Sequence, residues 1–317
     1  MSLDNFLFTT DKLMRSYDII MDFYDNKVIH HKFDTGTGFT LSALEMRPRI
    51  SQARLAIIPG RGECEHKYAE LLYCLSRERV HTCVCFVRGQ GASSGTLPDN
   101  KRSYIEDFSL YSNDIEFLLG KLGFTSNYGM MAFSLGGLIA LHFTQYHESI
   151  PDKLALIAPF IYPYFPVPNF LAKMLISLGN TFAKKSLVAT QTDYQYIAFE
   201  ENDHTHCKER YEIYHDYFAK HPGIACGGST YAFVYQCMKT QAQFRQSSNE
   251  FRLPILCQYA GEDKVVDSRY TVDLFSHHSK DKYSPQIVGI EGSYHDVLNE
   301  LDDIRNPSLY RAFKFLF

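Results

Sequence analysis

No tryptophan occurs in the 317-residue sequence, and its 32 Lys and Arg are outnumbered by 36 Asp and Glu. A formal net charge of -4 leaves no basic field to hold a polyanion, which excludes nucleic acid as a partner. The first residues, MSLDNFLFTTDKLMRSYD, lack a charged segment followed by an apolar one, so no secretory leader is expected. Without an oxidising destination, the eight cysteines (64, 74, 83, 85, 207, 226, 237 and 257) do not form a disulfide framework, and no Cys-x-x-Cys pair occurs among them. Cys83 and Cys85 alternate within an apolar run, as buried strand residues do, and the cysteines read as small buried hydrophobes.

A membrane-spanning segment is also missing. Residues 154–172 carry no charge and approach the ~20 residues that a spanning helix needs. Pro159, Pro163, Pro166 and Pro168 preclude a regular helix there. The stretch reads as a buried strand, LALIAP, followed by an irregular apolar excursion that can touch lipid. The expected location is cytoplasmic, or peripheral on the cytoplasmic membrane.

What is present is a folded, soluble-type composition, 45% hydrophobic and 21% charged, with a length suited to one or two domains. Apolar runs ending in turn residues alternate with helical spacing. Residues 54–60 (RLAIIPG), the run VHTCVCFV, YGMMAFS, LALIAP, PILCQYAG and PQIVGIEG read as strands. Helices are expected over residues 66–79, 104–122 and 135–146, near Tyr270, and over 308–317. Such βα repeats with near-continuous apolar strands predict a mostly parallel sheet covered by helices on both faces. Residues 18–46 read as antiparallel strands at its edge.

Residues 160–240 interrupt the repeat for longer than a bare connection would. They hold 16 of the 46 Tyr and Phe, with seven basic and seven acidic residues. The expectation is a mainly helical cap over residues 160–240, inserted into a core of residues 1–159 and 241–317.

In open α/β sheets, ligands bind beyond the carboxyl ends of the strands. Ser134 stands there in Ala132-Phe133-Ser134-Leu135-Gly136, a variant of the G-x-S-x-G turn that exposes a serine oxygen between strand and helix. A serine nucleophile needs a base, and the base an orienting acid, in the chain order Ser, Asp or Glu, His. Beyond the interruption, Asp263 in GEDKVVD follows the strand PILCQYAG and His295 in GSYHDVLNE follows PQIVGIEG, in that order. Asp267 is a rival acid that is also placed to cap the following helix. Asp296, adjacent to the histidine, faces elsewhere. The backbone N–H groups of Leu135 and of Arg61, in Pro59-Gly60-Arg61-Gly62-Glu63, are candidate oxyanion donors. His204-x-His206 beside Asp203 and Cys207 places its rings apart if helical, so no metal is expected, nor any cofactor.

With these residues the chain resembles the α/β-hydrolase group of bacterial lysophospholipases and monoacylglycerol lipases. PGRGECEHKYAELLYCL followed by VRGQGASSG is similar to the group's oxyanion loop, helix and RGQGxS turn, and GEDKVVD and GSYHDVLNE to its acid and histidine blocks. HCKERYEIYHDYFAKHPGIACGGSTYAFVYQ resembles the same region of the inner-membrane-type bacterial lysophospholipases. Pro59, Ala132 and the pair Phe86-Val87 depart from residues frequent in the group. The resemblance implies an α/β-hydrolase fold and a serine esterase acting on lysophospholipid or another single-acyl lipid, with Ser134 as nucleophile, His295 as base and Asp263 as orienting acid. A monoacylglycerol lipase or general carboxylesterase shares that machinery; a silent hydrolase fold that binds a lipid or partner is the alternative of another class. Tyr194, Tyr196, Tyr211 and Tyr214 are either core aromatics or a surface for a cationic headgroup.

Overall fold

The apolar runs all enter one sheet. The computed structural model describes residues 6–97, 102–165, 167–189, 191–246, 250–278, 280 and 282–317. The strands are β1 (Ile29–Asp34), β2 (Thr40–Met46), β3 (Ala53–Ile58), β4 (Val80–Phe86), β5 (Gly129–Phe133), β6 (Lys153–Ile157), β7 (Ile255–Ala260) and β8 (Gln286–Ile290). Among the described residues they form one eight-stranded sheet in the order β1-β2-β4-β3-β5-β6-β7-β8. β1 and β2, and β2 and β4, pair antiparallel; every later pairing is parallel. The carboxyl ends of β3, β5, β7 and β8 therefore share one edge.

The helices are α1 (Thr10–Arg15), α2 (Tyr17–Lys27), α3 (Ala69–Arg77), α4 (Ser109–Lys121), α5 (Leu135–Tyr146), α6 (Asn169–Phe182), α7 (Lys208–Lys220), α8 (Tyr231–Gln246), α9 (Ser268–His277) and α10 (Asp302–Leu316). Every residue of β4 and β5 is buried, as strands covered on both faces require. One apolar cluster joins the sheet to α4, α5, α8 and α9, through residues such as Ile115, Leu138, Phe233 and Phe275. A second joins the opposite face to α1, α2, α3 and α10, through Ile20, Leu72 and Phe313.

Three boundaries differ from expectation. Residues 18–27 are helical, not strand: Tyr17, Ile20 and Tyr24 recur at helical spacing, and Ile20 and Tyr24 are buried. α4 starts at Ser109, later than expected. α10 starts at Asp302, ahead of Pro307, because Leu309, Ala312 and Phe313 anchor it in the core while Asp302 and Asp303 suit its positive N-terminus.

Between β6 and β7 lie α6, α7 and α8. The first two stand outside the sheet; α8 crosses residue 240 and sends Phe233, Cys237 and Phe244 into the core. The charge-free stretch runs from β6 through Pro159 and Pro163 to Pro168, which precedes α6; Pro166 lies outside the described residues. Among the described residues no helix is long and apolar enough to cross a membrane.

Buried charges tie α7 to the body. Arg210 of α7 reaches Glu70 of α3 at 3.2 Å and Asp302 at 3.0 Å, and Arg305 of α10 reaches the same Glu70 at 3.2 Å. The two arginine side chains are only 2% and 3% exposed. Removing one partner of a buried pair strands the other charge, at about 3–5 kcal/mol. Glu70→Met is expected to lose stability on that scale in urea unfolding; a loss below about 1 kcal/mol would show that the arginines do not depend on Glu70.

Candidate active site

Ser134 stands at the sharpest turn of the chain's central crossover. Its backbone adopts φ 50° and ψ -118°, outside the regions that non-glycine residues favour, between the end of β5 and the start of α5. The turn is locked by Ser134 N–H donating to the Ile157 carbonyl at 3.1 Å, and by Gly137 N–H and Phe160 N–H donating to the Ser134 carbonyl at 2.9 Å each. It also needs small neighbours. A β-carbon on Gly136 would sit 2.3 Å from the Ile58 carbonyl oxygen and 2.5 Å from that of Pro59.

Ser134 Oγ lies 2.8 Å from His295 Nε2, and His295 Nδ1 lies 2.7 Å from Asp263 Oδ2. Asp263 Oδ1 accepts two backbone N–H groups of its own loop, from Val265 and Val266, at 2.8 Å each. A carboxylate receiving the Nδ1 proton leaves the Nε2 lone pair toward the serine hydroxyl, which donates to it. All three side chains are buried. Asp267 is engaged elsewhere: it caps α9, accepting from Arg269 N–H at 3.2 Å and pairing with the Arg269 guanidinium at 2.6 Å.

The loop after β3 approaches the same point. Gly60 N–H donates to Glu63 Oε2 at 2.6 Å and Gly62 N–H to Gln90 Oε1 at 2.5 Å. Between them, the Arg61 N–H donates to no protein acceptor among the described residues, and the same holds for the Leu135 N–H at the start of α5. The Arg61 side chain turns away, donating to the Gly227 carbonyl at 2.8 Å. From α7, the Tyr214 hydroxyl donates to the Gly62 carbonyl at 3.0 Å.

One group that sequence reasoning did not single out joins this loop to the residue after His295. Lys67, with a side chain 3% exposed, bridges Glu63 and Asp296, at 2.7 Å from the latter. Burial alone would pull its pKa down, but Asp296 and Glu63 hold it above the usual lysine value. The signal available was the i, i+4 spacing of Glu63 and Lys67. Asp296 thus faces away from the imidazole beside it, as its adjacency implied.

His204 and His206 lie in the irregular segment before α7, not on a helix. The His206 ring pairs with Glu300 at 2.9 Å, while that of His204 meets His295 edge-on at 6.3 Å between centroids. Tyr194, Tyr196, Tyr211 and Tyr214 gather around His215, with Tyr211 at 4.1 Å and the Tyr194 hydroxyl 2.9 Å from Nδ1. Burial pushes that imidazole down to about 4. Each ring packs on His215; Tyr211 is buried, Tyr194 and Tyr214 are half-buried, and Tyr196 is 60% exposed. The broad exposed apolar face is on α6 instead, where Phe170 is 75% and Phe182 83% exposed, with Met174, Leu175 and Leu178 between them.

Comparison with known proteins agrees with this architecture. Residues 50–302 match the profile of the hydrolase family described as serine aminopeptidase, S33. The chain is 29% identical over 273 residues to lysophospholipase L2 of Escherichia coli strain K12, covering 82% of this chain and 79% of that one. It is 26% identical to probable lysophospholipase L2 of Haemophilus influenzae, covering 86% of each. A soluble variant of monoglyceride lipase from Saccharomyces cerevisiae superposes with a TM-score of 0.68 at 17% identity, covering 90% of this chain and 92% of that chain. Its likeness is one of fold.

The contact under Gly136 yields a direct expectation. In Gly136→Ala, the new methyl meets backbone that cannot rotate away, so the end of β3 and the Arg61 loop must shift. Overpacking of this kind costs about 1–3 kcal/mol. Urea unfolding should show that loss together with slowed ester hydrolysis; wild-type stability and rate would refute the close approach.

Proposed function

The chain belongs to the α/β-hydrolase family described as serine aminopeptidase, S33, and on that footing we propose that it is a lysophospholipase with Ser134, His295 and Asp263 as its catalytic groups. It is a carboxylic ester hydrolase. The observation that carries the assignment of residues is the hydrogen-bonded series Ser134–His295–Asp263, at 2.8 and 2.7 Å, beyond the ends of β5, β8 and β7. The choice of substrate follows the two bacterial lysophospholipase relatives.

In this reading, Ser134 Oγ attacks the ester carbonyl carbon and passes its proton to His295 Nε2, while Asp263 holds the imidazolium in place. The N–H groups of Arg61 and Leu135 stabilise the oxyanion. Collapse breaks the bond to the glycerol oxygen, which takes the proton from His295 and leaves. Water then attacks the acyl-serine, giving its proton to His295; release of the fatty acid returns that proton to Ser134. One water is consumed and no cofactor is required.

Residues 160–240 act as the cap in this proposal, and α6 as its lipid-facing element. Among its described residues α6 carries no acidic side chain, and Lys173 lies amid the exposed apolar face. That combination suits peripheral contact with the cytoplasmic membrane or with substrate micelles.

Fatty-acid release by wild type and Ser134→Ala is to be compared on a lysophospholipid and a monoacylglycerol of one chain length. Loss of a serine nucleophile costs on the order of 10⁶-fold in kcat, so the variant should be silent on both substrates. Preference for the lysophospholipid supports the proposal; preference for the monoacylglycerol transfers the same chemistry to that substrate; release by Ser134→Ala defeats it. For α6, full burial of each phenylalanine is worth about 1.5–3 kcal/mol. Phe170→Ser with Phe182→Ser should therefore weaken vesicle binding about tenfold or more. Activity on aggregated substrate should fall while a short soluble ester is still cleaved, and equal losses on both would rule out the lipid contact.

A further inference from the structure

The loops that meet at Ser134 come from strands far apart in the sheet. β3 carries the Arg61 loop and β8 carries His295, with β5, β6 and β7 between them. Four inter-strand spacings place their axes about 19 Å apart. Among the described residues no backbone hydrogen bond joins the two loops directly, and side chains bridge them instead.

One continuous set of contacts spans that gap. Gly60 N–H, preceding Arg61, donates to Glu63 Oε2 at 2.6 Å, and the Tyr68 hydroxyl donates to the same oxygen at 2.6 Å. Lys67 Nζ donates to Glu63 Oε1 and, at 2.7 Å, to both oxygens of Asp296, the residue after His295. Asp296 is held in turn by Asn299 Nδ2 at 3.2 Å, while its N–H donates to the His204 carbonyl at 2.7 Å. The Lys67 ammonium lies 4.9 Å from the ring centroid of Phe133, the residue before Ser134, and 5.4 Å from that of Tyr214. Among the described residues no hydrogen bond or ion pair joins it to Ser134 or His295.

We propose that Lys67 is a positioning residue: the bridge Glu63–Lys67–Asp296 fixes the Arg61 N–H relative to the His295 imidazole, so that oxyanion donor and base act on one carbonyl group. Two buried carboxylates of like charge would repel one another without the ammonium between them. With it they become the two ends of a tie. The inference rests on the roles proposed for Ser134, His295 and Arg61, and goes beyond them by naming what holds them in register.

The variant that isolates the tie is Glu63→Gln with Lys67→Met and Asp296→Asn. It buries no unpaired charge. The side-chain amide oxygen introduced by Glu63→Gln can still accept from Gly60 N–H, so the loop keeps its own hydrogen bond and loses only the bridge. The expected result is a melting temperature near that of wild type, a KM within about threefold, and kcat lower by about 10²-fold, the usual scale for a misplaced catalytic group or oxyanion donor. Lys67→Arg, which can still span both carboxylates, should stay within about tenfold of wild type. Wild-type kcat in the triple variant, or a raised KM with unchanged kcat, would overturn the proposal; so would a loss in Lys67→Arg as large as in the triple variant. Should circular dichroism show the triple variant unfolded, Asp296→Asn alone decides: a kcat loss of about tenfold at unchanged KM supports the tie, and unchanged kcat refutes it. Ser134→Ala in the same assay separates the two levels. If it remains active, the site assignment fails; if it is silent while the triple variant keeps full kcat, only the bridge inference fails.

Discussion

The left-handed backbone of Ser134 is the constraint around which the rest is arranged. A non-glycine residue at φ 50° persists only where its surroundings leave no alternative. Here β5 and β6 fix the chain on one side and α5 on the other, with the Ser134 amide and carbonyl both bonded across the turn. The turn can close because Gly136, lacking a β-carbon, admits the carbonyls of Ile58 and Pro59. The same close approach draws the end of β3 toward the serine. Backbone strain at one residue thus brings the Arg61 loop within reach of it.

Parallel pairing does the remaining large-scale work. Because β3, β5, β7 and β8 run the same way, their carboxyl ends deliver Arg61, Ser134, Asp263 and His295 to one edge, although the serine and histidine are 161 positions apart. Local hydrogen bonds then aim each group. Asp263 Oδ1 accepts from its own loop, freeing Oδ2 for the imidazole, and the two glycine amides flanking Arg61 are each occupied. Rigidity around the serine is thereby supplied without using the groups that face it.

The inserted region is held unevenly. α7 is bound to the body through Arg210, Glu70 and Asp302, and touches the Arg61 loop through Tyr214. α8 shares the core. α6 presents an apolar face that is exposed among the described residues. The inserted region is thus anchored by polar contacts on one side and exposes an apolar face on the other.

Much of this arrangement is written locally in the sequence. Strand runs such as GMMAF and KLALI declare themselves by composition, and Ser134, Asp263 and His295 by their place just after such runs. Residues 18–27, read as strand, form helix α2 instead, and the spacing of Tyr17, Ile20 and Tyr24 fits a period of 3.6 better than one of 2. Other features depend on contacts between distant residues. Asp263 and Asp267 both follow β7, and only the folded chain turns one toward His295 and the other back onto Arg269. That four tyrosines meet at His215 is likewise visible only in the folded chain. Lys67 and Asp296 are separated by 229 positions, so neither composition nor periodicity brings them together. Sequence by itself determined most of the elements, their order and which residues stand at the strand ends, because those follow from each residue's near neighbours. Which buried charges meet, and which loops they tie, was decided by tertiary structure alone, because a charge buried among distant parts of the chain finds its partner only once the chain has closed around it.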